Sequence, residues 1–318
     1  MTKMVRWSFT LAALTFILSP VVESQRRKVS LGARQAATVY DVRAFGARGD
    51  GKTVDTRAIN SAIDAASAAG GGTVLLPAGT YLSFSIHLKS NITLYLDQGA
   101  TILAADPKEG FKYDLPEPNQ WDMYQDFGHS HWHNSLIWGE NIENVSILGP
   151  GLIDGKGLTR RSPRPRRPVQ TGDRPTTLGG GQTNLRQQSP LGEDDPPEVM
   201  NGLGNKAIGL KLCRNVILRD FSILNGGHFA LLATGVDNLT IDNLKVDTNR
   251  DGFDIDCCRN VRIWNASVNS PNDDAIVLKS SYALGFQRAT ENVTITACSV
   301  SGYDIGSLLD ATYKRNVK

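Results

Sequence analysis

Residues 238–263 read Asn238-Leu-Thr-Ile-Asp-Asn-Leu-Lys-Val-Asp-Thr-Asn-Arg-Asp251-Gly-Phe-Asp-Ile-Asp-Cys-Cys-Arg-Asn260-Val-Arg-Ile263 and carry one short phrase twice. Asn238-Leu-Thr-Ile returns as Asn260-Val-Arg-Ile after 22 residues, and Asn215-Val-Ile-Leu precedes it by 23. Asn292-Val-Thr-Ile follows, while Asn91-Ile-Thr-Leu and Asn144-Val-Ser-Ile are earlier copies. Self-similarity at this period marks a repeat architecture. The phrase is β-branched and alternates apolar with polar residues, so it reads as a short strand. No helix-length apolar periodicity separates the later copies, which argues against leucine-rich repeats and doubly wound α/β folds. The expected fold is all-β: a right-handed, single-stranded parallel β-helix whose coils are cut into short strands by turns. An antiparallel β-sandwich, which also spaces its turns regularly, is the competing reading.

A chain of 318 residues would ordinarily suggest two domains. A solenoid instead grows along one axis without splitting. Hydrophobic residues make up 40% of the chain, enough for a long core, and the formal charge of +2 indicates no class of partner. The four cysteines, Cys213, Cys257, Cys258 and Cys298, are too few for a disulfide scaffold, lack CxxC spacing and read mostly as core packing. Five Asn-x-Ser/Thr sequons, at Asn91, Asn144, Asn238, Asn265 and Asn292, follow from the strand phrase in four cases and need no glycan to explain them.

The ends of the chain differ from its middle. Lys3 and Arg6 precede an apolar run from Trp7 to Leu18. Residues 1–24 therefore read as a secretory signal peptide, with a retained membrane anchor as the alternative. A flexible segment is expected over 25–38 and the β-helix over 39–318. Within it, residues 159–198 are rich in Pro, Arg and Gly, poor in apolar residues, and read as a flexible insertion between coils. Its arginines are not interleaved with aromatics, which argues against nucleic acid as a partner. Ala58, Ile59, Ala62, Ile63 and Ala66 recur at helical spacing after Asp55, a good N-cap residue, and before Gly70-Gly71-Gly72. This helix is expected to cover the first coil. Residues 106–135 read as a loop holding Trp121, Trp132, His129, His131 and His133. Alternate histidines on a strand would form a metal triad. A loop near the ligand, with Trp121 or Trp132 stacking on a sugar, is the preferred reading, and no metal or other cofactor is expected.

The chemistry concentrates in three aspartates. Phe253 and Ile255 share one strand face, as do Ile276 and Leu278, and the offset of both pairs is 23 residues. The same offset places Asp251 beneath Asp274, with Asp273 facing differently. Strands stack about 4.8 Å apart, so two such carboxylates perturb each other's ionisation. One further step of 23 reaches His228, a candidate substrate contact, and Lys279 points outward, where it can pair with a uronate carboxylate. Three acids in one patch suit acid/base cleavage of a glycosidic bond. Aspartates capping solenoid turns are the plainer explanation.

The motifs around these residues resemble glycoside hydrolase family 28, the polygalacturonase family, over nearly the whole sequence that follows the leader. Phe45-Gly-Ala-Arg-Gly-Asp50-Gly-Lys-Thr-Val-Asp55-Thr is similar to the start of many pectin-active β-helices. Gly149-Pro-Gly-Leu-Ile-Asp154-Gly-Lys-Gly resembles a second family motif. Asn249-Arg250-Asp251-Gly252 resembles the family's Asn-Thr-Asp-Gly with Arg for Thr, and Asn272-Asp273-Asp274 its Gly-Asp-Asp with Asn for Gly. The resemblance implies inverting hydrolysis of α-1,4-galacturonosyl or related pectic linkages. It makes Asp273 the general acid and Asp251 and Asp274 the residues that hold and deprotonate water. An inverting pair is expected to stand about 6.5–9.5 Å apart. The implied partner is an acidic plant polysaccharide met outside the cell or in the periplasm, by a monomer that touches no membrane once the leader is removed. The family's Gly-His-Gly and Arg-Ile-Lys motifs, which follow its paired aspartates, do not occur before Lys318. The β-helix is therefore expected to be incomplete at its C-terminus and weakly active as it stands. A calcium-dependent polysaccharide lyase and a noncatalytic carbohydrate-binding β-helix are the alternatives.

Overall fold

The computed structural model describes residues 38–107, 111–121, 127–159, 202–271 and 273–302. The expected leader, nearly all of the 159–198 insertion and the basic residues Lys314 and Arg315 lie outside them. The chain is a right-handed parallel β-helix. Three all-parallel sheets of eight, eight and six strands run along it, and each regular coil gives one strand to each sheet. One such coil is Phe229–Thr234, Asp237–Asp242 and Lys245–Asp247, and the next is Asp251–Asp256, Arg259–Trp264 and Ser267–Ser270.

Register turns the repeat into a core. Leu94, Ile147, Leu218, Ile241 and Ile263 pair in succession, and all are at most 1% exposed. Ile86, Ile137, Ile208, Leu231 and Phe253 form a like column in the six-stranded sheet, with no exposed surface. A buried aliphatic side chain contributes about 1.5–3 kcal/mol by leaving water. Within each column these side chains also stack on similar ones in the neighbouring strands.

The Asn that opens each phrase has a backbone role that its type makes possible. Asn91, Asn144, Asn215, Asn238, Asn260 and Asn292 all take the left-handed conformation, with φ between 56° and 63°. Asn tolerates that conformation better than most residues. The side chains also stack: Nδ2 of Asn144 donates to Asn91, that of Asn215 to Asn144, and that of Asn238 to Asn215, at 2.9–3.0 Å. Asn265 and Asn292 likewise donate to Asp242 and Asn260. Four of the sequon nitrogens are therefore already engaged in the architecture.

The helix forms at Thr56–Ala68 and buries Ala58, Ile59, Ala62, Ile63 and Ala66. It packs on the strands Val39–Asp41, Gly72–Leu76, Ile86–His87 and Ile92–Leu96. Asp55 precedes it but does not cap it through its side chain. Its carboxylate instead accepts from the backbone N–H groups of Arg48 and Gly49, at 2.8 and 2.9 Å. That turn points two backbone donors at one acid, which outcompetes the helix start.

The six-stranded sheet positions the site. Every residue of Phe229–Thr234 and Asp251–Asp256 is buried, so the outward face is covered as well as the inward one. The cover is the segment containing Trp132, which packs on Phe229, Leu232 and Ala283. Its indole N–H donates to Thr234 Oγ1 at 3.0 Å. Trp132 is fully buried and cannot stack on a sugar. The three histidines share no strand face either: His129 lies in a one-turn helix, Phe127–Ser130, and His131 and His133 follow it.

The two costs of an Asn rung separate by substitution. Asn238→Gly removes a hydrogen bond worth about 1 kcal/mol. Asn238→Ala adds left-handed strain of about 1–2 kcal/mol. Thermal unfolding is expected to show the Ala variant melting below the Gly variant, and equal melting points would count against the ladder's backbone role.

Candidate active site

Asp251 opens the strand Asp251–Asp256, and Ile276–Lys279 is its neighbour in the next coil. Phe253 pairs with Ile276 and Ile255 with Leu278, the expected step of 23. The ladder continues past the strand, where Gly252 N–H donates to the Asp274 carbonyl at 2.8 Å and Phe253 N–H to that of Ala275 at 3.0 Å. Asp251 therefore lies one coil from Asp274. A side chain at Gly252 would meet the Ala275 carbonyl oxygen at 2.3 Å, so glycine is what lets the two acid-bearing segments close.

Asp251, Asp273 and Asp274 each bring a carboxylate oxygen within 4.8 Å of the others. This is tighter than the spacing expected of an inverting pair. The cause is geometric: two of the acids are consecutive and the third is one strand spacing away. Oxygens up to 4.8 Å apart can still both accept from one water at about 2.8 Å each, so the trio can grip a water rather than enclose it in a wide gap.

Asp251 is only 3% exposed, whereas Asp273 and Asp274 are half-buried. Burial pushes the Asp251 carboxyl well above the usual range, and the charges of Asp273 and Asp254 push it the same way. Lys279 and Arg250 oppose them without prevailing. Arg250 reaches over the cluster, with Nη2 2.7 Å from Asp273 Oδ2 and 4.0 Å from Asp251 Oδ2.

The step from Asp251 to the preceding coil is 22 residues, not 23. Phe229, rather than His228, is its register partner. His228 still enters the site, because its ring stacks on Phe229 at 4.3 Å and places Nε2 3.8 Å from Asp251 Oδ2. Lys279 does point outward, and there it engages an acid and an imidazole of the protein itself. Its Nζ lies 2.8 Å from Asp254, which is fully buried, and against His129 Nε2. His129 in turn stands 3.2 Å from Asp254. Burial alone would raise Asp254, yet Lys279 and His129 outweigh it and hold its carboxyl below the usual range.

Sequence reasoning passed over Asp254 and the partners of His129. The available signal was parity, since Asp254 alternates with Phe253 and Ile255 and must face outward. The other two histidines go elsewhere. His133 bonds Glu140 at 2.7 Å, and buried His131 is driven down to about 4 by desolvation. Beside Ala283 and Leu284 opens a cleft of about 400 Å³ lined by Pro118, Asn119, Trp121 and Lys211. Trp121, half-buried and edge-on to Tyr282 at 5.4 Å, lines this cleft.

The chain resembles known proteins in sequence and in fold. Residues 201–318, which hold all three acids, match the family model for glycosyl hydrolases family 28. Residues 39–138 match that for rhamnogalacturonase A/epimerase, pectate lyase-like. The chain is 26% identical over 260 residues to an exo-poly-α-D-galacturonosidase of Dickeya chrysanthemi, covering 75% of this chain and 41% of that protein. It thus spans less than half the length of that relative. A 42-residue stretch, 13% of the chain, is 69% identical to alginate lyase 7 of Azotobacter vinelandii, of which it covers 5%. In fold, it superposes on a hyperthermoactive exopolygalacturonase from Thermotoga maritima with a TM-score of 0.61 and 22% identity, over 83% of this chain and 60% of that one.

Keeping a buried acid has a stability cost with a definite sign. The unfolded chain ionises this carboxyl near 3.8, while the folded chain retains its proton to higher pH. The group's contribution is full below the unfolded value and is lost as pH rises through the folded one. Asp251→Asn is therefore expected to raise the melting temperature by about 2–4 °C near pH 8, with the gain vanishing near about pH 4. A gain independent of pH would assign the effect to packing.

Proposed function

We propose that this chain, whose residues 201–318 match the family model for glycosyl hydrolases family 28, is a polygalacturonase-like enzyme that hydrolyses α-1,4-galacturonosyl or related pectic linkages. The observation that carries this is the convergence of Asp251, Asp273 and Asp274 from adjacent coils to within 4.8 Å. One carboxyl protonates the glycosidic oxygen, while the others orient water and take its proton. The reaction inverts the anomeric centre, because a water gripped by the acids displaces the leaving sugar directly, with no covalent intermediate.

An acidic polymer suits the charge of the site. A uronate brought beside three aspartates needs cations, and Arg250, His228, Lys279 and His129 line the same region. His228 and Lys279 are the substrate-side groups in this reading. Leader-like sequence over residues 1–24 supports a monomeric enzyme acting outside the cytoplasm, where such polymers occur. Arg250 supplies positive charge inside the acid cluster, which favours hydrolysis over calcium-dependent elimination.

Reducing-end release from polygalacturonate, rhamnogalacturonan and xylogalacturonan tests the proposal. Product from at least one polymer, appearing first as the β-anomer by proton NMR and unaffected by a calcium chelator, is the expected result. A calcium-dependent, ultraviolet-absorbing unsaturated product would instead identify a lyase. Asp273→Asn and Asp251→Asn are each expected to lower polymer turnover by about 10²-fold or more. Binding without turnover, indifferent to both substitutions, would make the protein a carbohydrate-binding module.

A further inference from the structure

We infer that Phe229 is a positioning residue: its ring fixes the His228 imidazole so that Nε2 and the Asp251 carboxylate hold the attacking water between them. This rests on the hydrolytic reading and deepens it. The substrate that His228 meets is then water, the second substrate of a hydrolysis.

Consecutive residues of a strand point to opposite faces and cannot stack on each other. His228 is outside that constraint because it occupies the turn before the strand Phe229–Thr234, after Gly226 and Gly227. Gly227 takes a φ of 85°, and a side chain there would meet the Asn205 carbonyl oxygen at 2.7 Å. The same carbonyl accepts from the His228 backbone N–H at 2.8 Å, which anchors the turn to the preceding coil. So placed, the imidazole lies flat on its neighbour, with 9° between the ring planes and 4.3 Å between the centroids.

Phe229 can serve as that template because it is held on every side. It has no exposed surface and packs with Trp132, Leu232 and Ala283. His129 meets its ring edge-on at 4.7 Å. Lys206, its register partner in the preceding coil, brings Nζ to 5.7 Å from the ring centre. In the following coil the register partner of Phe229 is Asp251. One residue therefore fixes both halves of the contact: its ring carries the imidazole, and its backbone ladder carries the acid. Nε2 ends 3.8 Å from Asp251 Oδ2, too far for a direct hydrogen bond. A water about 2.8 Å from each atom fits that separation. Asp251 and Asp274 keep the task of deprotonating the water, and His228 fixes where it sits.

Turnover of a pectic polymer by the full chain, corrected for the folded fraction by near-ultraviolet circular dichroism, tests this. Phe229→Leu keeps apolar bulk but loses the ring. It is expected to lower kcat about tenfold or more and to leave KM for the polymer within about twofold. His228→Ala is expected to do the same. Adding Phe229→Leu to His228→Ala should then cost no more than about twofold, since the group it positions is gone. Phe229→Tyr, which keeps the ring, should retain most of the rate. A loss from Phe229→Leu that is equally large with and without His228 makes Phe229 merely structural. An unchanged kcat in His228→Ala overturns the proposal whether or not any Phe229 variant folds. A second measurement needs no turnover. The ring-proton NMR signals of His228, identified by their absence in His228→Ala, should lie upfield in wild type and Phe229→Tyr and move downfield in Phe229→Leu; signals that stay in place would overturn the stacking role. Wild type releasing no sugar from any of the polymers refutes the hydrolytic reading instead, and the NMR comparison then decides whether Phe229 positions His228.

Discussion

Hydrogen-bonded stacking of parallel coils, one strand spacing apart, is the constraint on which the rest of this structure depends. A residue in a coil has one partner above and one below, so whatever a position does is repeated along the axis. Aliphatic positions become columns such as Leu94-Ile147-Leu218-Ile241-Ile263. Asn positions become ladders in which each amide donates to the one before. The same rule brings Asp251 within a coil's distance of Asp273 and Asp274. A slip of one residue would turn each strand over and send the aliphatic column to solvent. Core and site are therefore held by one register.

The rule that builds the site also strains it. Stacking places like charges about 4.8 Å apart in a partly dry corner, where repulsion is weakly screened. The chain answers with two separate cationic arrangements. Arg250 bridges towards Asp273, and Lys279 with His129 neutralises Asp254 on the outward face. Both offset the push on Asp251 only in part, and it remains the most buried acid of the trio. Removing either cation would leave a buried carboxylate exposed to its neighbours' charge, so these residues serve the site even where they touch no substrate.

What the sequence made legible was whatever the repeat encodes twice. The coil period, the strand phrase, the helix over Ala58–Ala66 and the 23-residue step from Asp251 to Asp274 all show themselves through recurrence. What escaped depends on single events. The coil before Asp251 is one residue shorter, so extending the 23-residue step placed His228 where Phe229 pairs, although stacking returns the imidazole to the site. Trp132 carries no sign in sequence that a loop folds back to seal an outward sheet face; only the three-dimensional closure over Thr234 makes it core. Asp55 has the composition of a cap, but the choice between a helix end and a neighbouring turn is made by which donors converge on it.

Asp251 and Asp254 show why residue type and burial together still do not assign a role. They lie three residues apart in one strand, and both are almost completely buried. Desolvation pushes both in the same direction. They part company through parity. Position 254 faces outward, where the covering segment delivers His129 and the next coil delivers Lys279, so its charge is met by an imidazole and an ammonium group. Position 251 lies at the corner where the neighbouring coil delivers two more acids. One aspartate becomes an anion that secures the cover, and the other a carboxyl that burial and neighbouring acids push above the usual range. The difference is made by the alternation of a β-strand, which is the same alternation that makes the fold.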